Sequence, residues 1–378
     1  MTVTLATWGR FHFFDLAREL ARLGTLERLH TTYPAWAAGR FGVPEKKVTG
    51  MPMVEIAARA ARNVGPHLNL LPVLTRFWDR EVARRLQRTD VFVGLSGFCV
   101  HSVLRARELG AVTILERASS HIRTQARLLQ EERDLTGAPV EQVSSSDFER
   151  EEAGYTAADY VLVPSSFVME SFLANGFPRE KLLLNYLGVD LSHFRPRSDA
   201  RPKTAGALFR VINAGAFTHR KGMHYLAEAA RMLDARVFEF LNVGFHGGRL
   251  PFAVPHNFRV LRRVGQPALL EHYWQSDVFV LPTIEDGFPV VIPQAMACGL
   301  PVITTPNGSG PDLIRDGENG FIVPIRDARA IADRLEWMRV HPEETYAMGQ
   351  RARQTVVKGL SWEEYGRRTL ALYRGLLP

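Results

Sequence analysis

The 378-residue sequence contains two cysteines, Cys99 and Cys298, and each lies in an apolar stretch. We expect both to be small core residues rather than a disulfide or a metal pair, which fits a reducing compartment. No apolar run reaches the ~18 residues that a membrane-spanning helix needs. The N-terminal residues lack the basic start and long apolar region of a signal peptide. The sequence therefore predicts a cytoplasmic protein without a membrane span.

Several sequence motifs are also missing. The chain has no G-x-G-x-x-G and no G-x-x-x-x-G-K-[ST], which argues against dinucleotide-binding and P-loop sites. It has no G-x-S-x-G, so nothing supports a serine-hydrolase nucleophile elbow. We therefore expect the ligand site of this chain to be of a kind other than these three.

The composition is that of a globular protein, with 46% hydrophobic and 23% charged residues. The length suits two domains of roughly 150–200 residues. Residues 1–90 hold 14 Lys and Arg against 8 Asp and Glu, so most of the net charge of +7 lies there. Amphipathic helical patterns in 51–90 fit either packing on the domain's own core or contact with an anionic membrane. We expect no nucleic-acid partner.

One stretch, 278–304, predicts a strand, a loop, a helix and a second strand. Val278–Leu281 and Pro301–Thr304 are short apolar runs typical of buried parallel strands, and 291–298 favours a helix that ends at Gly299. The loop between them carries Glu285-Asp286-Gly287-Phe288 at a strand's carboxyl end, where ligands bind in open α/β sheets. From composition alone, the acidic residues could equally cap the helix.

The loop and helix resemble the donor-binding segment of family 4 retaining glycosyltransferases of the GT-B fold, P-S-x-x-E-G-F-G-x-x-x-x-E-A-M-A-x-G-x-P-V. Asp286 and Gln294 stand where the family has its two glutamates. Gly215 to Gly222 is similar to the family segment G-R-L-x-x-x-K-G, with Lys221 at its lysine and Arg220 as the cation that replaces the missing arginine.

The resemblance implies an α/β fold of two facing Rossmann-like domains with the site in the cleft between them. We expect an acceptor-binding domain over 1–195 and a nucleotide-sugar-binding domain over 206–360. A C-terminal helix over 361–378 would cross back to the first domain, and the stretch 195–206 would be the linker.

The resemblance also implies the site residues. Lys221 and Arg220 would hold the diphosphate, Asp286 a sugar hydroxyl and Gln294 the ribose, and His121 would contact the donor sugar. The expected catalytic residues are thus Asp286, Lys221, Arg220 and His121. The expected donor-binding residues are Gly9, Gly215, Gly265, Gln266, Glu285, Gly287, Phe288, Pro289, Val290 and Gln294. The expected acceptor-binding residues are Arg10, His12 and Arg117.

The implied function is transfer of a sugar from a nucleotide-diphosphate sugar to an acceptor hydroxyl with retention of configuration. A glycan or a lipid-linked acceptor, in bacterial polysaccharide or glycoconjugate synthesis at the inner face of the membrane, fits the resemblance. The chain has no D-x-D, so we expect no metal and no other cofactor. Two alternatives stay open. One is a catalytically weak scaffold subunit, suggested by Asp286 and Gln294. The other is an epimerase or phosphorylase of the same architecture.

Overall fold

Two parallel β-sheets organise the chain, and the computed structural model describes residues 1–64, 70–199, 207–245 and 249–377. Side chains are described for these residues except 62–64. Part of the predicted linker, 200–206, lies outside the described residues. The predicted α/β class with two parallel sheets is confirmed.

The first sheet has seven strands in the order β3-β2-β1-β4-β5-β6-β7. The strands are β1 Val3–Thr7, β2 Leu26–Thr31, β3 Val48–Gly50, β4 Val91–Leu95, β5 Val112–Glu116, β6 Tyr160–Val163 and β7 Leu182–Leu184. Their helices are α1 Phe13–Arg22, α2 Ala35–Gly39, α3 Pro52–Val64, α4 Leu71–Arg85, α5 His101–Glu108, α6 Ile122–Thr136, α7 Ser145–Ala157 and α8 Ser166–Ala174. Short 3-10 turns occupy Glu45–Lys47 and Arg179–Lys181.

The second sheet has six strands in the order β10-β9-β8-β11-β12-β13. The strands are β8 Phe209–Ala214, β9 Phe238–Phe245, β10 Phe258–Arg262, β11 Val278–Leu281, β12 Val302–Thr304 and β13 Gly320–Ile322. The helices are α9 Met223–Met232, α10 Gln266–Trp274, α11 Val291–Ala297, α12 Gly310–Leu313, α13 Ala328–Val340, α14 Pro342–Val357 and α15 Trp362–Gly375. Strand β11, Val-Phe-Val-Leu, is buried at every position, which explains its unbroken apolar run.

The strand order reverses between β1 and β4 in the first sheet and between β8 and β11 in the second. In open parallel sheets, ligands bind outside the carboxyl ends of the strands at such reversal points. The loops that follow these four strands are therefore where a site is expected.

The last helix, α15, packs on the first domain. Ser361 caps it by accepting the N–H of Glu364 at 3.1 Å, and Gly366 lies so close to α1 that an added Cβ would come 2.5 Å from the Cβ of Glu19. Asn185 donates to the hydroxyl of Thr369 at 2.7 Å. The C-terminal residues thus tie the end of the chain to its beginning.

A buried carboxylate also joins the two domains. Glu132 of α6 is 0% exposed, and its oxygens lie 2.7 Å from Nε2 of His224 and 2.8 Å from Nε of Arg326. Arg326 has a φ of +66°, which is uncommon for a residue with a side chain. Removing one partner of a buried ion pair leaves the other charge uncompensated, so this contact stabilises the observed domain arrangement.

Both cysteines are buried and unpaired, as predicted for core residues. Among the helices of the described ranges, none has the length and apolar character needed to cross a membrane.

We expect Glu132→Gln to destabilise the protein, because the amide leaves the charge of Arg326 without its buried partner. The free energy of unfolding should fall by about 3 kcal/mol. Glu131→Gln is the matched control, since Glu131 also contacts Arg326 but its side chain is 38% exposed, and its loss should stay below about 1 kcal/mol. Thermal and urea unfolding measure both changes. Equal effects of the two substitutions on the free energy of unfolding would contradict the role of Glu132 as a stabilising buried contact between the domains.

Candidate functional site

Two loops of the second domain lie side by side at the carboxyl ends of β8 and β11. The first carries Arg220-Lys221 and the second carries residues 285–289. The carbonyl of Arg220 accepts the N–H of Ile284 at 2.9 Å and the hydroxyl of Thr283 at 3.2 Å. These bonds fix the two loops relative to each other.

Gly222 permits this close approach. Its φ is +67°, and an added Cβ would lie 1.8 Å from the carbonyl oxygen of Pro282, so a side chain does not fit there. Gly222 directly precedes α9, which places Arg220 and Lys221 at the N-terminus of that helix. Helix N-termini stabilise negative charge, and two cations beside one make an arrangement suited to a phosphate group.

Each cation faces a carboxylate of the second loop. Lys221 forms an ion pair with Asp286, and Nη1 of Arg220 lies 3.2 Å from both the carbonyl oxygen and Oε2 of Glu285. Burial lowers the pKa of Lys221, and the carboxylate of Asp286 opposes that effect. Burial raises the pKa of Glu285, but Arg220 and hydrogen bonds outweigh it, and the net pKa is lowered. Glu285 is therefore held as a carboxylate.

Glu285 also binds the first domain. It is 0% exposed and accepts hydrogen bonds from the hydroxyl of Ser119 at 2.7 Å and from the N–H and hydroxyl of Ser120, both at 2.8 Å. Gly287 lies against the same loop, where an added Cβ would come 2.1 Å from the carbonyl oxygen of Ala118. The loops after β5 and β11 therefore meet directly.

His12 and Glu116 meet at the carboxyl ends of β1 and β5. Nε2 of His12 hydrogen-bonds to Oε1 of Glu116, which is 2% exposed. Burial lowers the pKa of His12, but the carboxylate of Glu116 outweighs burial and the net pKa is raised. This favours a protonated imidazolium at the position predicted to contact an acceptor.

The loop after β1 also contains Gly9 and Arg10. Gly9 has a φ of +66° and donates its N–H to the hydroxyl of Thr32 at 2.9 Å. Arg10 is exposed, and its guanidinium carbon lies 3.9 Å from the ring centroid of Phe41. Both residues lie at the carboxyl edge of the first sheet, and their predicted contacts remain predictions.

His121 makes structural contacts at the start of α6, and its predicted contact with the donor sugar remains a prediction. The residue caps α6, and its Nδ1 accepts the N–H of Arg123 at 3.2 Å. The centroid of its ring lies 5.0 Å from the ring centroid of Tyr155 and 4.8 Å from that of Phe172, and the residue is 5% exposed. Burial lowers the pKa of His121 to about 4, so the ring is neutral at pH 7.

Arg117 is also buried, and its predicted contact with an acceptor remains a prediction. It is 7% exposed, pairs with Glu151 and donates to the carbonyl of Ser120 at 2.9 Å and to Gln125 at 2.7 Å. These contacts occupy its guanidinium. Arg117 therefore positions the loop that holds Glu285.

The other predicted donor-binding residues are spread along the carboxyl edge of the second sheet. Gly215 follows β8 with a φ of +137°. Gly265 and Gln266 are exposed at the start of α10, and Gln294 is partly exposed on α11. Phe288 is 5% exposed and stacks on Tyr186, Pro289 is buried, and Val290 directly precedes α11. The structure thus brings Lys221, Arg220, Glu285 and Asp286 together directly and leaves the others farther along the same edge.

Sequence reasoning missed the link from Glu285 to Ser119 and Ser120, and the pairing of Glu116 with His12. A signal was present in the polar run Glu116–Ser120, which follows a buried strand directly. The pairing partners lie more than 100 residues away, and no local pattern identifies them.

A family model and several curated proteins match parts of this chain. Residues 209–339 match the family model of glycosyl transferases group 1. WcaL of Escherichia coli (strain K12), a protein named for colanic acid biosynthesis, is 30% identical over 221 residues, 53% of either chain. The amylovoran biosynthesis glycosyltransferase AmsK of Erwinia amylovora is 27% identical over 193 residues, 47% of this chain and 46% of its own. The chain thus spans about half the length of the curated relatives it matches.

A solved structure matches the whole fold. Alr3699/HepE of Anabaena, in complex with UDP-glucose, has a TM-score of 0.71 at 12% identity and covers 100% of both chains. Such low identity supports the fold alone. Residues 209–339 are thus similar to glycosyl transferases group 1, and the two-sheet architecture of the chain is that of the GT-B fold.

Proposed function

We propose that the protein transfers a sugar from a nucleotide-diphosphate sugar to an acceptor hydroxyl, with retention of anomeric configuration. The observation that carries the proposal is the placement of Lys221 and Arg220 at the N-terminus of α9, beside the loop of Asp286. The complex of HepE with UDP-glucose supports a nucleotide-sugar donor. The names of WcaL and AmsK support a polysaccharide product.

In the proposed reaction, the bond between the anomeric carbon and the diphosphate oxygen breaks as the acceptor oxygen bonds to that carbon from the same face. The acceptor proton passes to a diphosphate oxygen, and the nucleoside diphosphate leaves. Negative charge grows on the leaving group while the sugar becomes oxocarbenium-like. Lys221 and the N-terminus of α9 would stabilise that charge.

Donor binding changes the pairing of Lys221. Without a ligand, its ammonium is paired with Asp286, in a position 15% exposed. The diphosphate would take over the ammonium, which frees the Asp286 carboxylate to accept a hydrogen bond from a sugar hydroxyl. Gln294 would reach the ribose hydroxyls through its amide. Arg220 would stay on Glu285 and keep the loop in place.

We propose that the reaction needs no metal, because the ammonium of Lys221 and the N-terminus of α9 supply the positive charge that the leaving group requires. Metal removal by chelation should leave donor binding intact.

We also propose that the acceptor is presented at an anionic membrane surface. Val73, Arg76, Phe77 and Arg80 share one exposed face of α4, with Val73 62% and Phe77 54% exposed. Apolar residues that alternate with arginines on a helix face are typical of interfacial binding to anionic lipid. The cytoplasmic location, at the inner face of the membrane, stays a prediction.

A scaffold subunit without turnover is the second candidate. It is favoured by Asp286 and Gln294, which stand at the two glutamate positions of the resembled motif. Restoring both glutamates should increase the turnover of a weak enzyme and should leave a scaffold inactive.

Lys221→Ala should lower kcat by roughly 10²–10³, because it removes a cation that acts on the charge of the leaving group. Turnover of the donor with acceptor measures this, and circular dichroism checks that the variant is folded. Lys181→Ala, at an exposed position of the first domain, is the control and should retain full activity. Activity of the Lys221 variant equal to that of the unaltered protein would refute the proposed role.

Replacing Val73 and Phe77 with serine should weaken binding to phosphatidylcholine vesicles that contain phosphatidylglycerol. The change removes apolar surface that would enter the interface. Leu135→Ser is the control, since Leu135 is 66% exposed on α6. Co-sedimentation measures the bound fraction, which should also fall when phosphatidylglycerol is omitted. A bound fraction that stays the same after the serine substitutions and after the omission of phosphatidylglycerol would rule out this face as the contact.

A further inference from the structure

A cavity of about 230 Å³ lies in the first domain, outside the loops described above. Its walls come from α4, from the segment after β4 and from α7, and its polar lining includes Thr75, Arg76, Asp79, His101 and Arg150. The volume is below the ~300–1,000 Å³ of pockets that enclose whole drug-sized ligands. It suits one chemical group of a larger molecule.

Two polar side chains of this cavity have buried donors without a partner in the described ranges. Thr75 is 1% exposed, and its hydroxyl makes no hydrogen bond there. Arg150 pairs with Asp147 through Nη2, but its Nε and Nη1 are buried and unbonded. Buried donors are nearly always satisfied in folded proteins, so these three atoms indicate a missing acceptor.

The acidic residues of the cavity do not supply that acceptor. The oxygens of Asp79 accept the N–H groups of Val100, His101 and Ser102 at 2.9, 2.7 and 2.9 Å, and the hydroxyl of Ser102 at 2.6 Å. The carboxylate of Asp79 is therefore hydrogen-bonded to the start of α5. Glu149 is exposed at the rim. Among the residues that line the cavity, the buried side-chain atoms without a partner in the described ranges are thus one hydroxyl and two guanidinium nitrogens.

We propose that this cavity binds a phosphoryl group carried by the acceptor, with Arg150 and Thr75 donating to its oxygens. A phosphoryl group offers several acceptor oxygens and negative charge, which match a guanidinium edge and a hydroxyl. The assignment to the acceptor rests on the proposed sugar transfer, whereas the anion site itself does not.

The position of the cavity fits an acceptor. Phe98 in its wall stacks on Trp8, with ring centroids 5.6 Å apart, and Trp8 directly precedes Gly9 and the loop of His12. Arg76 lines the cavity and also belongs to the exposed face of α4 with Val73 and Phe77. A phosphoryl group held here would lie between the proposed membrane contact and the carboxyl edge of the first sheet.

The test is isothermal titration calorimetry of the full chain with inorganic phosphate and with dodecyl phosphate. Arg150→Gln should weaken binding by about tenfold or more, since it removes a charge-assisted pair. Thr75→Val should weaken it severalfold while the melting temperature stays equal or rises, because no hydrogen bond within the protein is lost. Arg133→Gln, an equal charge change at an exposed site of α6, and Lys221→Ala should leave the cavity's affinity unchanged.

Unchanged affinity in Arg150→Gln and Thr75→Val, or loss only in Lys221→Ala, would overturn the proposal. Dodecyl phosphate that binds tenfold tighter than inorganic phosphate, with the difference lost in Phe77→Ser, identifies a lipid-linked phosphate. Equal affinities identify a soluble phosphate, and either result supports the site. Sugar turnover measured on the same samples separates the two proposals. If sugar is transferred but the two cavity substitutions leave the phosphate affinity unchanged, the anion site alone is refuted. If the two substitutions weaken phosphate binding but no sugar is transferred, the sugar transfer alone is refuted.

Discussion

The arrangement of the site depends on the buried carboxylate of Glu285, which belongs to the second domain and binds the first. Its Oε1 accepts hydrogen bonds from Ser119 and Ser120, and Arg220 balances its charge at Oε2. A carboxylate at 0% exposure is costly unless it is paired, so the loops after β5, β8 and β11 stabilise one another. The position of the loop that carries Asp286 follows from this contact.

Once the loops are fixed, the chemistry follows from the order of charges along them. Arg220 is committed to Glu285, and Lys221, the next residue, faces Asp286 at the N-terminus of α9. One cation thus has a structural role, while its neighbour is the one that we propose exchanges a carboxylate for a diphosphate. In the first domain, Arg117 and Glu151 support the loop after β5. His12 and Glu116 pair at the carboxyl ends of β1 and β5.

The sequence was sufficient for the fold class and for the segment around Lys221 and Asp286, because unbroken apolar runs and glycine positions are local signals. It did not show which side chains His121 and Arg117 contact. Both sit beside a strand's carboxyl end, yet their partners, Phe172 and Glu151, come from helices encoded 34 to 51 residues later. The partner of Glu285 is farther still, at 165 residues for Ser120. Only the folded chain shows which polar residues near an edge face inward.

In the proposed mechanism, a nucleotide diphosphate binds beside Lys221 without a metal. The most direct measurement is thermal unfolding in EDTA with UDP, GDP, ADP, CDP or dTDP, on the unaltered protein and on Lys221→Ala. A ligand at 100 times its Kd stabilises by about 2.7 kcal/mol, which a melting curve resolves. The account predicts that at least one nucleotide stabilises the unaltered protein and has little effect on the variant. No stabilisation by any nucleotide, or equal stabilisation of both proteins, would contradict it.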